Sequence, residues 1–158
     1  MKAKIAFILI LIFLIVSCKK KESFSMADVN AKDHEKYETR ALVKGDTIAY
    51  NKLSMEFFDS PNEGVFLYTA LKMANKYNYG RAYDDAYMSL TDAYHKKDYT
   101  ELDSLDNHTK SLALDLLKRG TLIRNRDCMR RLGKFYMLGK HVEKDSVKGQ
   151  KLINEADK

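Results

Sequence analysis

Two hydrophobic patterns divide the chain. Residues 5–16 are apolar without a break and follow the short cationic stretch Met1-Lys2-Ala3-Lys4. Such a run falls short of the roughly 20 apolar residues that span a bilayer. With a basic flank before it and the small Ser17 after it, it has the layout of a cleavable export signal. Beyond Lys19-Lys20-Lys21-Glu22 the apolar residues recur at spacings of three and four, the period of helices that bury one face. Ala49, Leu53 and Phe57 predict a helix over 46–58. Ser60-Pro61-Asn62-Glu63 combines an N-cap serine, a first-turn proline and a glutamate three residues after the cap, and the helix it opens carries Leu67, Ala70, Leu71 and Ala74 along one stripe. A helix over 81–94 follows with Ala82, Ala86, Leu90 and Ala93, then a polar connection over 95–105. Three more helices are predicted: 106–122 with Leu112, Leu116 and Leu117 inward, 127–138 with Cys128, Leu132 and Phe135 inward and Gly139 as C-cap, and 146–157.

The end of the first apolar run reads Ile15-Val16-Ser17-Cys18. This resembles the lipobox of bacterial lipoproteins: an aliphatic residue, a tolerant position, a small residue and a cysteine. The resemblance implies cleavage after Ser17 and diacylglycerol (palmitate-type) modification of Cys18, with two or three acyl chains giving stable membrane anchoring. It divides the chain into a signal peptide (1–17), a lipidated polar tether ending in a helix (18–40) and a helical domain (41–158). Lys19 after the cysteine, where an aspartate would favour retention at the inner membrane, points to the outer membrane, and the basic tether to its periplasmic leaflet. The three tether lysines either touch anionic head groups or form a solvated spacer.

Composition narrows the partners. The chain holds 28 basic and 22 acidic residues for a net +6, interspersed without long single-sign blocks, and loss of Lys2 and Lys4 with the signal leaves the mature chain milder still. Nucleic acid is therefore not suggested as a partner. With Cys18 lipidated only Cys128 remains, so no intramolecular disulfide can form and stability must come from the core.

Small residues repeat with one spacing. Ala41 with Ala49, Ala74 with Ala82, and Gly120 with Cys128 are each eight apart, and Leu53, Ala86 or Leu132 lies four residues beyond the second member. Small side chains on both helices let backbones approach where one helix pair hands over to the next, so the spacing predicts helix pairs stacked as a repeat. In the last unit, residues 128–149, Leu132, Gly133, Tyr136, Gly139, Val142, Lys144, Asp145 and Lys148 fall in register with the pattern of a Sel1-like repeat, which this segment closely resembles. Cys128 and Gly149 stand where that pattern has alanine, size changes that a small-residue packing site can absorb. Residues 41–49 and Asn75-Lys76-Tyr77-Asn78 keep the handover but not the loop signature, so the best-matching repeat spans about 127–158. The resemblance implies an all-α, short helical-repeat solenoid of Sel1/tetratricopeptide-type helix-turn-helix pairs behind a lipoprotein signal peptide, with Ala49, Ala74, Ala82, Ala86, Cys128, Leu132, Gly133, Tyr136 and Gly139 as repeat-packing positions.

Such a fold is expected to bind proteins on its concave face. Four of the ten tyrosines, Tyr77, Tyr79, Tyr83 and Tyr87, cluster around one handover. Tyr83 and Tyr87, four apart on one helix with Asp84 between them, read either as core or as binding anchors. Arg130, Arg131 and Lys134 are expected on an exposed basic face, either solvated or matched to an acidic partner.

Enzymatic constellations are poor. His34, His95, His108 and His141 are scattered without paired ligand spacing, Cys128 reads as a small buried hydrophobe, and no glycine-rich phosphate loop is present. No metal, cofactor or catalytic residue is expected. Asp46-Thr47-Ile48, Asp103-Ser104-Leu105 and Asp145-Ser146-Val147 match a short O-glycosylation sequon, and each also suits a helix start or loop. The leading expectation is a lipid-anchored adaptor that holds an envelope protein near the membrane. The alternatives are an immunity protein that neutralises a periplasm-delivered antibacterial effector and, with no defensible residue set, an envelope enzyme or cell-wall ligand receptor.

Overall fold

The computed structural model describes residues 31–59, 65–93 and 99–158. The export signal, Cys18, the start of the tether, the Ser60-Pro61-Asn62-Glu63 motif and His95 lie outside the described residues. Those described form seven α-helices and no strand: α1 (Ala31–Lys44), α2 (Thr47–Asp59), α3 (Val65–Tyr77), α4 (Gly80–Thr91), α5 (Asn107–Leu122), α6 (Arg126–Leu138) and α7 (Ser146–Ala156). The chain is all-helical here. Each helix packs on its sequence neighbours, and α1 also meets α3 while α4 meets α6.

Local chemistry sets the boundaries. Between α1 and α2, Gly45 takes φ +67°, where a Cβ would fall 2.5 Å from the Tyr77 ring. Asp46 then accepts from the amides of Ile48 and Ala49 at 3.0 Å each. The Ala49 amide first, then the Arg40 guanidinium and the Ile48 amide, hold its carboxyl below the usual range against the opposing cost of desolvation. Asp106, Asn125 and Asp145 cap α5, α6 and α7 in the same way. Gly139 ends α6 in the left-handed region.

The six small residues of the eight-residue spacing are all buried at the three short connections. A Cβ on Gly120 would collide with the Cys128 sulfur, so that handover is a true close approach. Leu53, Ala86 and Leu132 are also buried. The seam between α6 and α7 is closer still. A Cβ on Gly149 would stand 2.6 Å from the Gly133 carbonyl oxygen, and one on Gly133 would stand 2.8 Å from that of Gly149. Gly149 is thus no absorbed size change: in this chain the two backbones have closed on it.

Several expectations need correcting. The inward stripe of α3 is Phe66, Thr69, Ala70, Met73 and Ala74, while Leu67 and Leu71 are only half-buried, the helix being turned so that Phe66 stacks on Tyr50 and Phe57 of α2. On α5, Ala113 is buried and Leu112 is exposed. Helix α4 stops at Thr91 rather than 94 because Asp92 turns left-handed, at φ 54°. The helix expected at the end of the tether is α1, described from Ala31, and its Tyr37 packs on the core.

Candidate functional site

The central helix α4 buries six residues in succession, 82–87, two of them aspartates. A helix surrounded on all sides can do this only if its charges find partners. Asp85 faces α2, where its Oδ2 accepts the Tyr50 hydroxyl at 2.8 Å and the Ser54 hydroxyl at 3.0 Å. Arg81, one turn back on α4, brings Nε to 3.5 Å from the same oxygen and donates through Nη2 to Ser54 at 3.1 Å. Desolvation nevertheless dominates and pushes the Asp85 carboxyl up to about 6, against the pull of Arg81, Tyr50 and Ser54.

Asp84 faces the other way, toward α6. Its Oδ1 accepts from Arg131 Nε at 2.8 Å, and Arg131 Nη2 lies 3.1 Å from the Met88 sulfur. Here too burial raises the carboxyl, with Arg131 opposing. The Arg131 guanidinium stands 5.5 Å from the centre of the Tyr87 ring. Tyr87 donates its hydroxyl to Glu101 Oε1 at 2.7 Å, and burial and that carboxylate push the phenol up. Glu101 is 1% exposed, and its Oε2 has no hydrogen-bond partner.

The result is a polar layer through the α2, α4 and α6 contacts, topped by two arginines whose side chains stay 39% (Arg81) and 23% (Arg131) exposed. Each guanidinium is held by an aspartate beneath it, so its outward N–H groups are fixed donors suited to a carboxylate or another anionic group. Cys128 is buried, and desolvation pushes its thiol up.

Tyr83 and Tyr87 are core residues rather than anchors on a binding face. Tyr83 donates to Asn78 at 3.0 Å and accepts from Arg119 at 3.1 Å, so both phenols are spent inside. Asp84 is likewise buried and committed to Arg131. Arg131 therefore leaves the exposed basic face, whereas Lys134 is exposed and Arg130 is exposed between Asp157 and Asp127. Ala49, Ala74, Ala82, Ala86, Cys128, Leu132 and Gly133 are buried. Tyr136 is half-buried under Lys148, whose Nζ lies 2.8 Å from the phenol oxygen, and Gly139 is exposed.

Sequence reasoning missed Tyr50, Ser54, Arg81 and Glu101. The first three had a signal, since Tyr50 with Ser54 and Arg81 with Asp85 are i, i+4 pairs on facing helices; Glu101 had none. His34 meets Glu56 and His141 meets Asp103, at 2.9 Å each, and no group of three or more metal-ligating side chains converges among the described residues. The Thr47, Ser104 and Ser146 hydroxyls are on exposed residues, with Asp46 and Asp145 acting as caps. No described helix is long and apolar enough to cross a membrane.

No protein-family model matches the chain, and neither a curated protein nor a solved structure is significantly similar to it.

Proposed function

We propose that the chain is a lipid-anchored envelope protein whose helices form a short Sel1-like solenoid, and that the solenoid serves as a protein-interaction adaptor through its α2, α4 and α6 face. The observation that carries this reading is the pair of arginines, Arg81 and Arg131, fixed over buried Asp85 and Asp84 on adjoining helices. Buried ion pairs are costly to maintain, and here they orient donors at a surface, which favours a partner that presents carboxylates. The alternating connections, with short handovers between α1 and α2, α3 and α4, and α5 and α6, support the stacked-repeat reading. The lipobox residues 15–18 support the anchor.

The test is affinity capture of the lipidated full chain from crosslinked envelopes, set against Cys18→Ala and against an Arg81→Gln, Lys134→Glu variant whose helicity is checked by circular dichroism. One dominant partner, captured by the native chain and lost from the charge variant, is the expected result. Equal capture by both, or no enriched protein, would overturn the adaptor reading.

A further inference from the structure

The three short connections lie side by side. Tyr77, at the end of α3, packs its ring over Gly45 and donates to the carbonyls of Leu42 and Val43 at 2.9 and 2.7 Å, so the second connection leans on the first. A Cβ on Gly80, at the start of α4, would stand 3.6 to 3.7 Å from Asn125 and Ile123, so the third connection lies against the second. Together they make one continuous edge of the helix array.

That edge has an unusual composition. Val43, Ile48 and Leu122 stand 65%, 58% and 81% exposed on it. Around them Lys44, Lys76, Arg124 and Arg126 are exposed, and Lys44, Arg124 and Arg126 make no ion pair among the described residues. The nearby acids are engaged: Asp46 by Arg40 at 2.6 Å and by the start of α2, and Asp127 by Arg130 at 3.5 Å. Aliphatic tips on separate turns do not form the pocketed aromatic cluster of a protein hot spot. Aliphatic side chains that reach the acyl boundary, ringed by cations that meet phosphates, are what an anionic lipid surface selects.

We infer that this edge rests on the membrane, with Val43, Ile48 and Leu122 entering the interfacial layer and Lys44, Lys76, Arg124 and Arg126 meeting anionic phospholipid head groups. The inference rests on the lipid-anchor reading, which brings the domain to a bilayer. The twelve residues between Cys18 and Ala31 allow a reach of roughly 40 Å, and α1 is about 21 Å long. The tether can therefore run past α1 from its far end to the edge. The domain would lie with its handover turns down and its α2, α4 and α6 face turned to the side, free for a partner.

The test uses the lipidated full chain in vesicles of phosphatidylglycerol and phosphatidylethanolamine, with one added cysteine carrying a fluorophore. Leu122→Cys places the label on the edge. Leu138→Cys places it at the opposite end of α6, where Leu138 is also exposed. Cys128 is buried and does not compete for the label. Nitroxide-bearing lipids should quench the label at 122 several-fold more than the label at 138. Phosphatidylcholine vesicles, or a Lys44→Glu, Arg124→Glu, Arg126→Glu background, should reduce the quenching at 122 several-fold, since each cation near an anionic surface changes affinity roughly fivefold. Equal quenching at both positions, or an unquenched label at 122 in a chain that floats with the vesicles, would overturn the inference and leave the anchor standing. If envelope protein then shields the label at 122 from a water-soluble quencher, the edge belongs to a protein partner instead. A chain that does not float at all would overturn the anchor and this inference with it.

Discussion

Two seams hold the helices together by opposite means. Between α6 and α7 the glycines Gly133 and Gly149 bring the backbones so close that neither tolerates a Cβ, and the one ion pair across the seam among the described residues, Arg130 with Asp157, is exposed at its end. Between α2, α4 and α6 the same job falls to Tyr50, Ser54, Arg81, Asp84, Asp85 and Arg131, all hydrogen-bonded or ion-paired across the helices. A glycine seam spends backbone entropy and gains dispersion contacts. A polar layer loses solvation and gains geometry, and it leaves guanidinium groups at a surface. The seam reads as architecture, and the layer reads as the place where a ligand's charge would be felt.

The sharpest way to break that contrast is to add one carbon to the seam. Gly149→Ala would set a methyl 2.6 Å from the Gly133 oxygen and 2.6 Å from the Met137 side chain, with the Met137 amide nitrogen at 3.0 Å. Two of those three atoms are backbone and cannot step aside. Overpacking of this kind costs about 3 kcal/mol, read as a lower urea midpoint. Gly80→Ala is the internal control. Its new methyl would meet nothing closer than 3.6 Å, and loss of glycine's unfolded-state freedom should leave it neutral or ~0.5 kcal/mol more stable. Equal effects at the two sites would show that the seam is looser than its distances.

The seam was less legible than the handovers beside it, since Gly149 reads in the sequence as a size change that a packing site absorbs and only the closed backbones show otherwise. Small residues eight apart can be found in a sequence because glycine and alanine at a helix crossing have one common cause, close approach. Gly120 against Cys128 was readable for that reason. The inward face of α3 was not. Leu67 and Leu71 are as apolar as Phe66 and Met73, and the tertiary contacts, among them the Tyr50 and Phe57 rings of α2 against Phe66, decide which pair turns in. The polar layer was half legible: Asp84 and Asp85 visibly point apart on a helix, but which facing helix supplies Tyr50 or Arg131 is a matter of three-dimensional register. Glu101 was invisible, since a glutamate in a polar connection ordinarily lies in water and this one is brought inside by the Tyr87 hydroxyl. Tyr83 and Tyr87 read as core first and as anchors second, because a tyrosine four residues from another marks a helix face without saying what covers it.

A smaller effect probes the layer itself. Tyr87→Phe removes the one hydrogen bond to the buried Glu101 carboxylate, whose other oxygen already lacks a partner. Stranding a buried acceptor costs about 2 kcal/mol. Adding Glu101→Met should recover most of that loss, because removing both partners is cheaper than removing one. A double variant as unstable as Tyr87→Phe alone would mean that the carboxylate stabilises the connection through Arg131 rather than through Tyr87.

The smallest effect bears most directly on how the layer differs from the seam, because it depends on pH. Folded Asp85 titrates near 6 against an ordinary value of 3.8. Between those values the folded chain binds more protons than the unfolded one, so this group adds stability as pH falls and withdraws it as pH rises through 6. Asp84 is shifted in the same direction. Asp46 is shifted down and acts oppositely, but only below about pH 4, where its free carboxyl begins to protonate. From pH 7 to pH 5 the native chain should gain about 1 kcal/mol in urea unfolding. Asp85→Asn keeps an acceptor for Tyr50 and Ser54 while removing the titration, so it should flatten most of that slope. Gly149→Ala should lower stability by the same amount at both pH values, since its methyl meets only atoms of Gly133 and Met137, neither of them ionisable. A slope that survives Asp85→Asn would transfer the buried proton to Asp84 and make the α6 side of the layer, with Arg131, the charged half of the face.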